Sequence, residues 1–245
     1  MTTIAMRLQA IEGRIAAAAA AAGRDPAAIT LVAVSKTWPI PTLLEAYAAG
    51  VRHFGENRAN ELAEKVPAMA AVVGSKSGIS WHFIGNLQSR QVAPVARYAD
   101  QFHALDRLKI ARRLDQQLAA ADRELPVLLE VNVSGEATKA GFAAGSWETD
   151  DAQQQALCQA VAEIATLPRL HIEGLMTMAP WGAPADEIGA IFERTRLLAA
   201  WLQTRFPEQR WSRLSMGMTD DFELAIAAGA TDVRVGRAIF GERDP

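Results

Sequence analysis

The sequence predicts an α/β protein folded as a single (β/α)8 TIM-type barrel with an extra N-terminal helix. Short apolar runs alternate with segments of helical periodicity, eight runs in all, and no linker breaks the alternation. The length of 245 residues is close to the ~250 of a complete eightfold barrel. Strict alternation requires parallel strands joined by right-handed crossovers. With no sequence left over, closure is favoured over the alternative, an open doubly wound sheet. The first strand is also followed by no glycine-rich dinucleotide fingerprint. One domain over residues 1–245 is expected.

Ile4, Leu8, Ile11 and Ile15 recur at helical spacing and Glu12 interrupts the apolar stretch, so residues 3–22 read as an amphipathic helix and not as a signal segment. Gly23 and Asp25-Pro26 end it before the first strand, residues 31–36. The remaining strands fall at 53–55, 81–85, 102–105, 127–133, 171–178, 213–218 and 232–239. Crossover helices fill 42–49, 58–71, 87–98, 107–121, 151–166, 185–206 and 220–228. The turn-rich stretches 73–80 and 134–146 are of loop length.

The chain is 50% hydrophobic and 22% charged, with a formal net charge of -3, the composition of an ordinary soluble domain. It has no basic excess to attract nucleic acid or anionic membrane, and no apolar stretch approaches the ~18 residues of a membrane span. The single cysteine, Cys158, cannot form an internal disulfide, which fits a reducing cytoplasm.

In such barrels the pocket forms where strands end. Lys36 closes the first strand on the face of Val32 and Val34. Inside the barrel its amine would be desolvated, its pKa lowered and its nucleophilicity raised; on position alone, a lysine snorkelling into solvent fits equally. Loops after the seventh and eighth strands commonly hold phosphate. There Gly217 and Gly236 allow close approach of backbone N–H groups and Ser215 offers a hydroxyl, although each glycine alone also reads as a plain turn. Together with the lysine they imply a phosphorylated ligand. Arg234 shares a face with Gly236 and suits a phosphate, a ring nitrogen or a rim carboxylate.

Other positions keep two readings. Asn57 contacts a ligand or caps the following helix, and Ile84 packs against a flat ring or simply fills the interior beside His82. Met176 and Met178 read first as core. Asp220 followed by Glu223 fits a capping box better than an acid/base pair. No cluster has metal-ligand spacing along the chain, and no serine sits in a nucleophile elbow.

Several segments together resemble one family. They are Ala33-Val34-Ser35-Lys36-Thr37, His53-Phe54-Gly55-Glu56-Asn57, Trp81-His82-Phe83-Ile84-Gly85, Gly174-Leu175-Met176, Leu214-Ser215-Met216-Gly217-Met218, Val233-Arg234-Val235-Gly236 and Ala238-Ile239-Phe240-Gly241. In this order they closely resemble the YggS/PROSC family of pyridoxal phosphate homeostasis proteins, related to the barrel of alanine racemase. The resemblance implies the type III pyridoxal 5′-phosphate fold and an internal aldimine on Lys36. It further implies Ser215, Gly217, Gly236 and Arg237 around the phosphate, Arg234 facing the cofactor, and Asn57, Ile84 and Met176 about the ring. Arg237 stands where the family more often has Ser or Thr, and Asn86 where it often has Pro.

Three functions use these residues: a cofactor carrier without strong turnover, a racemase-like enzyme, and a Schiff-base aldolase that needs no cofactor. The resemblance implies that racemisation draws a tyrosine acid/base from an additional β domain. Tyr47 and Tyr98 fall in helices, and the chain runs to Pro245 shortly after the last strand. An arginine facing the pyridine nitrogen would also weaken the electron sink. The sequence therefore points to a monomeric, cytoplasmic carrier in pyridoxal phosphate homeostasis, with PLP-dependent apo-enzymes as recipients. A racemase-like enzyme is the alternative.

Overall fold

Period-two alternation in short strands, with a helix between each pair, closes the sheet on itself in a computed structural model that describes residues 2–242. Residues 1 and 243–245 of the expected domain lie outside the described part. The strands are β1 (Thr30–Val34), β2 (His53–Glu56), β3 (Ser80–Phe83), β4 (Gln101–Leu105), β5 (Leu125–Asn132), β6 (Phe142–Ala143), β7 (Leu170–Met176), β8 (Arg213–Ser215) and β9 (Asp232–Val235). The helices are α1 (Ile4–Ala21), α2 (Ile40–Ala48), α3 (Ala59–Val73), α4 (Val92–Tyr98), α5 (Leu108–Ala120), α6 (Asp151–Ala165), α7 (Ala185–Arg205), α8 (Phe222–Ala227) and α9 (Arg237–Phe240).

Parallel pairing runs β1-β2-β3-β4-β5-β7-β8-β9 and returns to β1, so the sheet is a closed eight-stranded barrel with seven crossover helices, α2 to α8. At the seam Val32 pairs with Arg234 and Ala33 with Val235. The expected barrel stands and the open sheet does not. The two-residue β6, in a stretch expected to be loop, pairs only with the end of β5.

Alternation sorts the residues by face. Phe54, Trp81, Phe83 and Phe102 belong to the apolar layer beneath the helices. Their neighbours His53, His82, His103, Ser215 and Arg234 are joined by hydrogen bonds on the opposite face. His103 of β4 meets Ser215 of β8 across the barrel, a contact that only the interior allows. This interior is unusually polar for a fold whose core is ordinarily branched aliphatic. Higher up, Gly55 leaves room for Val32 and Ile84: a Cβ there would lie 2.9 Å from Val32 Cγ1 and 3.4 Å from Ile84 Cδ1.

Helix α1 buries Ile4, Leu8, Ile11, Ile15 and Ala19, the stripe expected from its spacing. It is fastened to the chain end through arginines: Arg7 donates to the carbonyls of Ile239 and Phe240, and Arg24 to that of Ile226. Two local expectations change. The last strand stops at Val235, not at 239, because Gly236 (φ -116°, ψ -77°) turns the chain and its carbonyl accepts from Ile239 and Phe240, starting α9. An apolar run of that length does not distinguish a strand from one helical turn. The capping box also fails: α8 starts after Asp221, whose carboxylate accepts from Met218 N–H, while Asp220 pairs with Arg237. Among the described residues no helix is long and apolar enough to cross a membrane.

Two glycines test the packing. A Cβ on Gly174 (φ +154°) would sit 1.8 Å from the Arg213 carbonyl oxygen, forcing β7 and β8 apart. Gly174→Ala is expected to destabilise by about 3 kcal/mol or more. Gly189, within α7, has open space around its Cβ position, so Gly189→Ala should stabilise by up to about 1 kcal/mol. Urea midpoints of the two variants decide both.

Candidate functional site

Strand ends and the loops after them meet at one mouth of the barrel, as the fold dictates. A cavity of about 850 Å³ opens there, walled by Val34 at the end of β1 and Lys36 beyond it, by the 179–183 loop after β7, by Met218 to Asp221 after β8, by Arg234 of β9, and by Gly236 and Arg237 at the start of α9. Lys36 is half-buried in the turn that follows β1. Neither end of the chain supplies this cavity alone; the β1–β9 seam joins them.

The Lys36 turn is clamped from below by a buried ion cluster. Lys65 Nζ donates to the Ser35 carbonyl (2.9 Å), Glu56 Oε1 (2.8 Å) and Glu61 Oε2 (2.7 Å). Ser35 Oγ donates to Glu56 Oε1, and Thr37 N–H to Glu61 Oε2, both at 2.6 Å. Thr37 has φ +68°, a left-handed conformation that a β-branched residue keeps only when its surroundings impose it. Burial raises the pKa of Glu56 against the pull of Lys65. Glu61 is held below its ordinary value because the bonds from Lys65 and Thr37 outweigh its partial burial.

Arg234 is buried, 5% exposed, and reaches the cavity wall. Its Nη1 donates to Ser215 Oγ (2.6 Å), its Nη2 to the Thr177 carbonyl (2.9 Å), and its backbone N–H to Gly217 O. These acceptors are neutral, so the rim-carboxylate reading is not realised; burial lowers its pKa to about 10, and it stays charged near neutrality. Arg237 is exposed at the mouth, paired with Asp220 at 3.1 Å and 5.8 Å from the Trp181 ring centroid.

The remaining expected residues divide. Gly236 lines the cavity. Ser215 is fully buried below it, its hydroxyl engaged by His103 and Arg234, and the hydroxyl on the wall is that of Thr219, which spacing alone did not single out. Gly217 (φ +90°) serves packing: a Cβ would lie 2.6 Å from Ala225 Cβ and 2.8 Å from Phe222 Cα. Asn57 does not cap α3, whose N-cap is Arg58, and its Oδ1 is buried with no partner. Ile84 follows β3 beside Gly55, and Met176 ends β7, buried, in register with Glu130 and Ser215.

Glu130 and Asp106 were not foreseen. Glu130 Oε2 and Asp106 Oδ1 are buried without partners, as few buried polar atoms are. Burial, then the Asp106 charge, raises the Glu130 pKa to about 7 against the pull of Arg234. The fold also gathers His82, His103 and Asp232, with ligand atoms within 4.8 Å of one another, a group that sequence spacing does not reveal. Two of those imidazole nitrogens bond each other, and Asp232 is held by Arg213, so the trio is engaged without a metal.

The sequence profile described as "Alanine racemase, N-terminal domain" matches residues 6–244. The pyridoxal phosphate homeostasis protein of Escherichia coli (strain K12) is 43% identical over 247 residues, covering 100% of this chain and 98% of that protein. The chain belongs to the pyridoxal phosphate homeostasis protein family. The structure of a Synechococcus elongatus PCC7942 relative, PipY, with PLP bound superposes with a TM-score of 0.79 at 35% identity, covering 98% of this chain and all of that one. Alanine racemase from Streptomyces coelicolor A3(2) shares the fold, with a TM-score of 0.68 at 17% identity, and the alignment covers 98% of this chain and 59% of the racemase. For this family member the barrel expectation and the resemblance therefore agree.

Removing the clamp should be costly. Lys65→Met leaves Glu56 buried and uncompensated, and calorimetry at neutral pH should show a loss of about 3–5 kcal/mol. Glu130 acts oppositely. Its carboxyl is easier to protonate folded than unfolded, so its stabilising contribution is complete below the unfolded pKa of about 4.5 and is lost as pH rises through about 7. Glu130→Gln should flatten the stability profile over that window and stabilise the protein at pH 8 by up to about 3 kcal/mol in urea titrations.

Proposed function

We propose that this chain holds pyridoxal 5′-phosphate on Lys36 and acts as a monomeric, cytoplasmic carrier in its homeostasis, delivering it to PLP-dependent apo-enzymes. The observation that carries the reading is the convergence of Lys36, Arg234 and the loops after β8 and β9 on one cavity. The names of the relatives and the PLP-bound state of PipY support it.

The residues present fit the cofactor. Its aldehyde would condense reversibly with an amine, losing water, and Lys36 supplies that amine within a turn held rigid by Lys65 and Glu61. Thr219 O–H and the backbone about Gly236 present donors for a phosphate, and Arg237 adds positive charge at the mouth. Arg234 faces the cavity as a donor, able to hydrogen-bond a ring nitrogen while keeping its own protons. Asn57 Oδ1 is a buried acceptor awaiting a donor. Ile84 and Met176 supply apolar contact near the strand ends. Ser215 and Gly217 act one layer lower, by holding Arg234 and seating α8.

Strong catalysis is disfavoured on the same grounds. Tyr47 belongs to α2, its hydroxyl donating to the Ser77 carbonyl, and Tyr98 ends α4; neither lines the cavity. A guanidinium opposite the ring nitrogen withholds the proton that would make the ring an electron sink. Retention and release then become the useful properties of the site.

Purified protein incubated with pyridoxal 5′-phosphate should absorb in the visible. Borohydride should abolish that band and fix one label, mapped by mass spectrometry to Lys36, and Lys36→Ala should stay colourless. A colourless parent protein or a label elsewhere defeats the cofactor assignment. Rapid racemisation of an amino acid by the loaded protein defeats the carrier role.

A further inference from the structure

We propose that His103, with His82, His53 and Gln101 behind it, is a positioning set for Arg234: a one-way file of hydrogen bonds through the barrel that fixes the Ser215 hydroxyl proton on the His103 side, away from Arg234, and so fixes how the guanidinium meets a ring in the cavity. It rests on the function proposed above only for the identity of that ring.

The direction of the file follows from one fixed amide. Gln101 Nε2 donates to the Glu173 carboxylate at 3.1 Å, which leaves Gln101 Oε1 facing His103 Nε2 at 3.3 Å. An oxygen acceptor there places the His103 proton on Nε2. His103 Nδ1 is then bare and accepts the Ser215 hydroxyl proton at 2.8 Å. His103 Nε2–H also reaches His82 Nδ1 at 2.9 Å, so His82 carries its own proton on Nε2, toward His53 Nδ1 at 3.0 Å and Ser80 Oγ at 3.3 Å. His53 ends the file. It is half-buried and lines a cavity of about 460 Å³ beside α1 at the amino ends of β1 and β2.

At the other end the consequence is specific. With its only proton committed to His103, Ser215 Oγ presents lone pairs to Arg234 Nη1 at 2.6 Å. The Thr177 carbonyl takes Nη2. Two neutral acceptors on separate strand ends fix the plane of the guanidinium, while the carboxylates of Asp221, Glu130 and Asp232 act on it through their charge and, among the described residues, none forms a direct ion pair with it.

The file works only if its imidazoles are neutral, since an imidazolium donates from both nitrogens and breaks the chain. Burial ensures this: it drives the His82 pKa to about 3 and that of His103 well below its ordinary value, and the charges of Arg213 and Arg234 add to the effect. Asp232 faces the lower end and favours charge on His53, but its carboxylate is paired with Arg213 and accepts from Thr231.

Full-length protein labelled with 15N-histidine tests the file without cofactor. The expected result is Nε2–H, Nδ1-bare signals for His82 and His103 between about pH 5 and 8. Gln101→Met should turn His103 into a mixture of tautomers, and Ser215→Ala should shift its Nδ1 resonance. In protein loaded with pyridoxal 5′-phosphate, Ser215→Ala should move the visible pH titration by about one unit and weaken retention about tenfold, with Ser215→Thr restoring both. Nδ1–H signals, an imidazolium at neutral pH, or no response to Ser215→Ala overturns the proposal. If the protein takes up no cofactor, the proposed function fails while the apo-protein resonances still decide the file.

Discussion

The pairing of β1 with β9 is the constraint on which the rest of the structure depends, because it converts two distant stretches of sequence into one wall. Thr30 to Ala33 lie in register with Asp232 to Val235, so residues leaving the top of β1 emerge beside those leaving β9. Lys36 and Gly236 therefore share a cavity although they come from opposite ends of the chain. Helix α1 reinforces the seam from outside, packing on α8 and α9 and binding α9 carbonyls through Arg7, while Arg24, just beyond the helix, binds the Ile226 carbonyl of α8. Closure is thus secured where the candidate site is built.

A closed parallel barrel needs something to fill it, and here that filling is largely polar. Buried imidazoles, a hydroxyl and a guanidinium are tolerable because each meets a partner: His53, His82, His103, Ser215 and Arg234 form one continuous series. Among the described residues the exceptions are Asn57 Oδ1, Asp106 Oδ1, Glu130 Oε2, Glu56 Oε2 and Trp147 Nε1, and all but the last lie at or near strand ends. Polarity is thus satisfied along the series through the barrel and left partly unsatisfied near the strand ends.

Elements were legible from sequence because their signals are local. The eight barrel strands and seven crossovers follow from periodicity, and Lys36, Arg234 and Gly236 from the rule that strand ends build the site. What stayed hidden depends on partners far away in sequence. Ser215 reads as a phosphate donor until His103, from the opposite side of the barrel, and Arg234 engage its hydroxyl. Gly217 reads as an anion loop, and only the folded chain adds that Ala225 and Phe222 fill the space a side chain there would need. Asp220 reads as a cap until Arg237 claims it. Thr219 carried no signal of its own, because a threonine next to two aspartates is an ordinary turn residue until the loop is folded over the cavity.

The same distinction bears on why such a site would hold a ligand and not transform it. Lys36 sits in a turn whose flanking residues are pinned by a buried lysine and two glutamates, and Arg234 is pinned by Ser215 and Thr177. Rigid placement on both sides fixes the orientation of a ligand, but orientation alone supplies no second acid or base to move its protons. A catalyst would need a group that gains its interaction only as charge develops. Glu130, with a pKa near 7 and no partner for Oε2, is a carboxyl near Arg234 with that latitude, and Asp106 beside it favours the neutral form. The Glu130 pKa near 7 comes from burial and from Asp106, and Glu130 is not among the residues that wall the cavity, where Lys36, Arg234 and Arg237 stand with Asp220, Asp221 and Glu242.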